Sequence, residues 1–194
     1  MGDEPGKTQS WIWSAIGGLL PLYVLASSAS MGLALGALYL LSYSSAASVS
    51  LLAPARFGRR PIILLAMSAA AIMASIGSSL VRLVSPVMFE VYGPIFFLVP
   101  FVYPVMKAAC TTRTDDGSDG LIEDLIRGAG NAGGIVVFGL MRELLAIGAI
   151  AGSSASGSAR FLPVAAHPAG AFMLIAAFMA SFKAIASFAR KNNV

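Results

Sequence analysis

The chain has 194 residues, of which 57% are hydrophobic and only 11% are charged, and its mean hydropathy is +0.81. Charged residues usually make up about a quarter of a soluble domain, so this composition excludes an ordinary soluble domain and indicates an integral membrane protein. The net charge of +4 does not indicate a nucleic-acid partner, because the basic residues are scattered in short loops without interleaved aromatic side chains. The single cysteine, Cys110, excludes a disulfide framework.

Apolar runs follow one another along the chain and predict an all-α membrane fold with six transmembrane segments. The second and third runs contain no charged residue, whereas the first is interrupted in its middle by two glycines and Pro21. The fourth run is short and contains three prolines, and the fifth contains Arg142 and Glu143. The predicted segments are 11–28, 31–53, 61–81, 88–106, 128–152 and 169–189.

The first and fourth segments, 11–28 and 88–106, are predicted to be broken helices, because proline removes a backbone donor and kinks a helix. Each is followed by two ordinary spans, so a single membrane domain, 1–194, divides into repeats at 11–84 and 88–189. Three spans per repeat is an odd number, which predicts that the second repeat is inverted, as in inverted-repeat transporters. The alternative that stays open is that the prolines only end re-entrant or tilted helices.

The distribution of basic residues predicts the orientation of the chain. With six spans, nine of the 13 basic residues lie on one side and two on the other, with Arg142 and Lys183 inside spans. Because Lys and Arg accumulate in cytoplasmic loops, both termini are predicted to be cytoplasmic.

The adjacent residues Arg142 and Glu143 are the leading candidates for a functional site. Ionisable groups inside a membrane are expensive and often functional. Neighbouring positions on a helix point about 100° apart, so the two side chains are expected to have different partners or to lie near the interface at the outer end of the span. Interfacial anchoring, helix pairing and a role in an ion path all stay open. Glu90 is predicted to cap the start of the second broken segment.

Other motifs do not indicate chemistry. His167 is the only histidine and has no Ser, Cys or Asp constellation around it, so neither a catalytic triad nor a metal site is predicted there. The glycine-rich run at 128–134 follows no strand and fails as a dinucleotide fingerprint, and close helix packing explains it better. Catalysis by this chain alone is not expected.

Several stretches, in the same order over nearly the whole chain, resemble one family. This family comprises the small six-helix membrane subunits RnfE and NqrD, with their sister subunits RnfA and NqrE, of the Rnf and sodium-translocating NADH:quinone oxidoreductase complexes. The last two stretches are the most specific and favour the RnfE and NqrD branch. The stretches are GLLP with MGLALGAL (18–21 and 31–38), RRPII (59–63), VYGPIFFLVPFVYP (91–104), GLMRELLAIG (139–148) and HPAGAFMLIAAFMASFK (167–183).

The resemblance implies six helices in two inverted repeats, cytoplasmic termini and a place in a prokaryotic cell (inner) membrane. It also implies a multi-subunit complex that couples electron transfer to translocation of Na⁺ or H⁺. The implied partners are a homologous six-helix sister subunit of the RnfA/NqrE type and flavin-carrying membrane subunits. The family holds a [2Fe-2S] cluster between the two sister subunits, with two cysteines from each.

In this sequence the two cluster positions correspond to Leu20 and Tyr103, so the resemblance implies vestigial positions without thiolate ligands. Cys110 lies seven residues beyond Tyr103 and cannot replace two ligands. No cofactor is therefore expected on this chain alone, and [2Fe-2S] and flavins are expected in the partner subunits.

Three hypotheses follow. In the first, the chain is a non-catalytic scaffold subunit of such a complex, with a candidate ion path at Arg142 and Glu143. In the second, it is a stand-alone inverted-repeat permease or channel for a small solute or ion. In the third, the role is purely structural, and neutral substitutions at Arg142 and Glu143 leave ion pumping intact.

Overall fold

The computed structural model describes residues 19–52, 59–102, 117–148 and 162–192, and every regular element within these ranges is a helix. Tyr103 and Cys110 lie outside the described residues, as do 11–18 of the first predicted segment. In chain order the elements are α1 (19–25), α2 (Ala29–Leu52), α3 (Arg59–Val84), α4 (Pro86–Phe96), α5 (99–102), α6 (Gly117–Ile147), a 3₁₀ turn (Pro163–Ala166) and α7 (Pro168–Asn192).

Three of the described helices are long and apolar enough to cross a membrane: Ala29–Leu52, Arg60–Val84 and Asp124–Ile147. Two shorter apolar helical stretches accompany them, Pro86–Val102, which comprises α4 and α5, and Pro168–Ser181, which is the first part of α7. Many large apolar side chains on these helices are exposed, as expected of surfaces that face lipid. Within the described residues, the prediction of an all-helical fold with membrane-length helices is confirmed. The division into six spans and two inverted repeats stays a prediction.

Helices α2 and α6 run antiparallel and approach each other through glycines. A Cβ on Gly32 would lie 3.1 Å from the carbonyl oxygen of Ile135, and a Cβ on Gly36 would lie 3.0 Å from that of Ala132. A Cβ on Gly139 would lie 2.7 Å from the carbonyl oxygen of Ser28. Small residues at four-residue spacing allow backbones to pack this closely in membranes. The crossing therefore brings the start of α2 and the end of α6 to the same end of the molecule.

Further along the same interface the contacts become aromatic and polar. The Tyr39 and Tyr43 rings stack with centroids 5.6 Å apart, and Asn131 Nδ2 donates to the Tyr39 hydroxyl at 3.3 Å. Gly128 leaves room for the Tyr43 ring, which a Cβ at that position would meet at 2.6 Å. These contacts fix the register of α2 against α6 along most of their length.

Helix α3 packs on α2, and Ala66, Ala70 and Ala74 form a row of buried alanines along it. Its exposed serines, Ser68, Ser75 and Ser79, donate to backbone carbonyls four residues earlier in the same helix, at 2.8–2.9 Å. Hydroxyl groups satisfied in this way can face lipid without an unpaired donor. Helix α3 thus presents one face to the protein and an apolar, hydrogen-bond-satisfied face to its surroundings.

The fourth predicted segment is interrupted at Phe97–Leu98, between α4 and α5. Pro94 lies inside α4 and cannot donate to the carbonyl of Glu90, and the chain tightens to a three-residue bond from the Leu98 N–H to the Ile95 carbonyl. Residues 103–106 of this segment lie outside the described part of the chain. Helix α4 begins at Pro86, so Glu90 is not in its first turn. The predicted capping role of Glu90 is therefore wrong.

Boundaries of the first and fifth segments also differ from the sequence prediction. Pro21 is one of the helical residues of α1, which ends at Leu25 before a turn at 26–28. The fifth segment was predicted at 128–152, but α6 begins at Gly117 and ends at Ile147, so the glycine-rich run at 128–134 lies within the helix and not at its start. Gly148 takes the left-handed conformation, with φ of 75°, and its N–H bonds to the Leu144 carbonyl. This left-handed glycine ends the helix.

We expect Gly139→Ala to destabilise the protein, because the added methyl group meets backbone atoms of Ser28 and Gly32 that cannot move aside. The expected loss is about 1–3 kcal/mol, measured as a lower Tm of the detergent-solubilised protein. Gly130→Ala on the same helix is the matched control, since nothing lies within 4 Å of its Cβ position. An equal effect of both substitutions would contradict the close α2–α6 packing.

Candidate functional site

Arg142 and Glu143 lie in the last turns of α6, about 6–8 Å before its final residue at roughly 1.5 Å of rise per residue. Both side chains are buried, with 1% of Arg142 and 7% of Glu143 exposed. A buried charge needs partners, because its transfer out of water costs on the order of several kcal/mol. The partners of these two side chains define the candidate site.

Arg142 binds backbone carbonyls from two separate chain segments. Its Nη1 donates to the carbonyl of Val24 at 2.6 Å and to that of Ala26 at 3.2 Å, at the end of α1. Its Nε donates to the carbonyl of Ala165 at 3.0 Å, and its Nη2 to that of His167 at 3.4 Å, just before α7. The planar guanidinium has five donors in a fixed fork. One side chain thus joins the end of α1 to the start of α7.

Glu143 binds the other end of the turn at 26–28, where α2 begins. Its Oε2 accepts a hydrogen bond of 2.7 Å from the backbone N–H of Ala29, the first residue of α2. Ser28, immediately before the helix, accepts from the N–H of Met31 through its hydroxyl at 3.3 Å. The first N–H groups of a helix have no partner within it and carry partial positive charge. A carboxylate at this position satisfies a free donor and complements the helix dipole.

The two adjacent side chains therefore divide the turn at 26–28 between them. The cation lies at the carbonyl end of α1, and the anion lies at the N–H end of α2. Each sign matches the partial charge of the helix end that it contacts. The arrangement is suited to holding three chain segments in fixed positions, and we name it the Arg142–Glu143 clamp.

His167 contributes its backbone to this region. Its carbonyl accepts from Arg142 and from the N–H groups of Gly170 and Ala171 in the first turn of α7, while the residue itself is exposed. Among the residues that the structure describes, no group of three His, Cys, Asp or Glu could hold a metal ion.

Leu20, the first expected cluster position, is half-buried in an apolar group. It packs against the apolar side chains of Phe138, Ala171 and Ile175, and this contact joins α1 to α6 and α7. The Tyr23 ring meets the Phe138 ring edge-on, with centroids 5.3 Å apart. None of the side chains in this apolar group carries a thiolate, so they do not fit a [2Fe-2S] cluster.

Ser28 belongs to the site but was not among the residues predicted from the sequence. A serine directly before an apolar helix is a common start signal, so its position was available from the sequence. The carbonyls of Val24, Ala26 and Ala165 were not, because any residue type supplies a backbone carbonyl.

Comparison with known proteins gives no match, either to protein-family models or to curated proteins.

We expect Arg142→Met to destabilise the protein strongly, because the carbonyls of Val24, Ala26 and Ala165 lose their donor in an apolar setting. A buried acceptor left without its donor costs about 1–3 kcal/mol, and this substitution removes the donor of several carbonyls at once. Arg142→Lys should recover only part of this, since one ammonium cannot reach both chain segments. The measurement is Tm in detergent, with the exposed neighbour change Leu144→Met as control. A wild-type Tm for Arg142→Met would contradict the clamp.

We expect Glu143→Gln to be far milder than Glu143→Met. The amide keeps an oxygen that can accept from the Ala29 N–H, and only the charge is lost, a cost of about 1 kcal/mol. The methionine leaves that N–H without its acceptor and should cost about 2–3 kcal/mol. Equal Tm values for the two variants would show that the hydrogen bond to Ala29 contributes nothing.

Proposed function

We propose that the chain is a scaffold subunit of an Rnf/Nqr-like membrane complex that couples electron transfer to translocation of Na⁺ or H⁺. In this proposal it holds no [2Fe-2S] ligands of its own. It pairs with a six-helix sister subunit of the RnfA/NqrE type and with flavin-carrying membrane subunits. The complex lies in a prokaryotic cell membrane, with both termini of this chain in the cytoplasm.

The observation that carries the proposal is the meeting of three family-like stretches around Leu20. Leu20 comes from GLLP, Ala171 from the HPAGAF stretch, and Phe138 directly precedes GLMRELLAIG; all three belong to one apolar group. Arg142 of GLMRELLAIG also binds the carbonyl of His167 in the third stretch. Stretches far apart in the sequence thus form one unit around Leu20, the residue that the resemblance equates with a cluster ligand.

The chemistry of that unit supports a scaffold role. Leucine cannot ligate iron, so no electron-transfer step is assigned to this position. The charged groups of the clamp bind helix ends, which favours a role in positioning segments over a role in carrying ions. Electron transfer is assigned to the partner subunits.

Affinity purification of the tagged chain from its native membranes in mild detergent tests this proposal. We expect flavoproteins and a second six-helix subunit to co-purify in fixed proportion. The alternative function, a stand-alone permease or channel, predicts a homo-oligomer without flavoproteins. Recovery of the homo-oligomer alone would contradict the proposal and favour the permease.

A second test addresses the cluster. We expect any [2Fe-2S] signal in the electron paramagnetic resonance spectrum of the purified complex to be unchanged, per mole of complex, when Cys110→Ser is introduced. The chain purified alone should contain no stoichiometric iron. Loss of the signal in Cys110→Ser, with the complex still assembled, would show that this chain ligates the cluster.

A further inference from the structure

A cleft of about 550 Å³ lies between the end of α3 and one face of α4. It is distant in sequence from the Arg142–Glu143 clamp and takes no part in it. Along α4 its lining residues recur every three or four positions, which places them on one helix face. The lining includes Arg82, Phe89, Glu90, Gly93, Pro94 and Phe97.

Arg82 supplies a positive charge that is held by an aromatic ring. Its guanidinium carbon lies 5.6 Å from the centroid of the Phe89 ring, within the range of a cation–π contact. Phe89 is supported in turn by Phe96, whose ring centroid is 6.3 Å away. A ring face attracts the guanidinium charge without accepting hydrogen bonds from all five of its N–H groups. The contact with Phe89 therefore leaves N–H donors of Arg82 available for an anion.

Glu90 supplies a negative charge to the same cleft. Among the residues that the structure describes, no ion pair is formed by Arg82 or Glu90, although both are exposed and line one cavity. Pro94 follows Glu90 by one helical turn and has no N–H. The carbonyl of Glu90 therefore lacks the i+4 donor that a helical carbonyl ordinarily has. The cleft is therefore lined by one cation, Arg82, and one carboxylate, Glu90.

The surroundings of the cleft are apolar and exposed. Val87 and Val91 on α4 are 73% and 62% exposed, and Phe97 at the edge of the cleft is 53% exposed. On a helix that packs beside a membrane-length helix, such side chains face lipid. The occupant that fits is thus an amphiphile, with apolar chains beside a headgroup that carries both charges.

We infer that the cleft binds the headgroup of phosphatidylethanolamine. The phosphate pairs with the guanidinium of Arg82, and the primary ammonium donates to the carboxylate of Glu90. The acyl chains lie along Val91 and Phe97. Phosphatidylglycerol has no cation for Glu90, and the quaternary ammonium of phosphatidylcholine has no N–H to donate. This inference is independent of the function proposed for the whole chain.

Native mass spectrometry of the purified full chain in detergent tests the inference. The probes are phosphatidylethanolamine, phosphatidylcholine and phosphatidylglycerol with identical acyl chains, added at equal concentration. For the wild type we expect retention of one phosphatidylethanolamine roughly fivefold above either other lipid, as expected for a charge-assisted contact.

Two substitutions separate the two charges. Arg82→Gln should lower the retention of all three lipids, because each has a phosphate. Arg82→Lys should retain more lipid than Arg82→Gln but less than the wild type, because lysine keeps the charge without the fork of donors. Glu90→Gln should lower only phosphatidylethanolamine, to the level of phosphatidylcholine. Ser79→Ala is the matched control, since Ser79 is exposed on α3, outside the cleft, and its hydroxyl bonds to its own helix.

Equal retention of phosphatidylethanolamine and phosphatidylcholine by the wild type would overturn the inference. So would a preference for phosphatidylglycerol that depends on Arg82 alone, since Glu90 would then have no role. Because Arg82 and Glu90 are exposed, both variants should keep the wild-type Tm. If a variant loses the wild-type Tm, a competition experiment on the wild-type protein takes its place. In that experiment, excess phosphatidylcholine must fail to displace bound phosphatidylethanolamine.

Discussion

The turn at 26–28 ends one helix and begins another within an apolar protein, and its backbone groups need partners that lipid cannot supply. Arg142 and Glu143 supply them from a single pair of neighbouring positions on α6. The close α2–α6 crossing belongs to the same constraint, because Gly139 lies one turn before Glu143 and its missing side chain lets α6 approach Ser28. The same arginine binds the segment before α7. The packing of α1, α2, α6 and α7 thus depends on this clamp.

The long helices could be predicted from hydropathy. The runs at 31–53 and 61–81 correspond to α2 and α3 within about three residues, because burial of an apolar surface in lipid requires a continuous helix of that length. The helix ends could not be predicted as well. They depend on local backbone geometry, such as the left-handed Gly148 after α6 and the start of α4 at Pro86. Pro21 indicated an interruption, yet it lies within the helical residues of α1.

The candidate site was predictable in its side chains but not in its contacts. Arg142 and Glu143 stand out in the sequence because placing two charges in an apolar run costs free energy. Their partners are backbone carbonyls and an N–H group, which carry no signature of residue type, and only the folded arrangement of α1, α2 and the turn before α7 brings them together. For Leu20 the sequence supplied a resemblance, and the structure adds its apolar neighbours. The assignment to an Rnf/Nqr-like complex remains our proposal.

The central claim is that the two buried charges hold the fold and do not carry ions. The most direct test is cation uptake by membrane vesicles that contain the Glu143→Gln variant of the protein. Uptake is normalised to the amount of assembled protein. Because glutamine keeps the acceptor for Ala29 but cannot ionise, the account predicts uptake equal to that of the wild type. Wild-type assembly with abolished uptake would contradict it and would place Glu143 in an ion path.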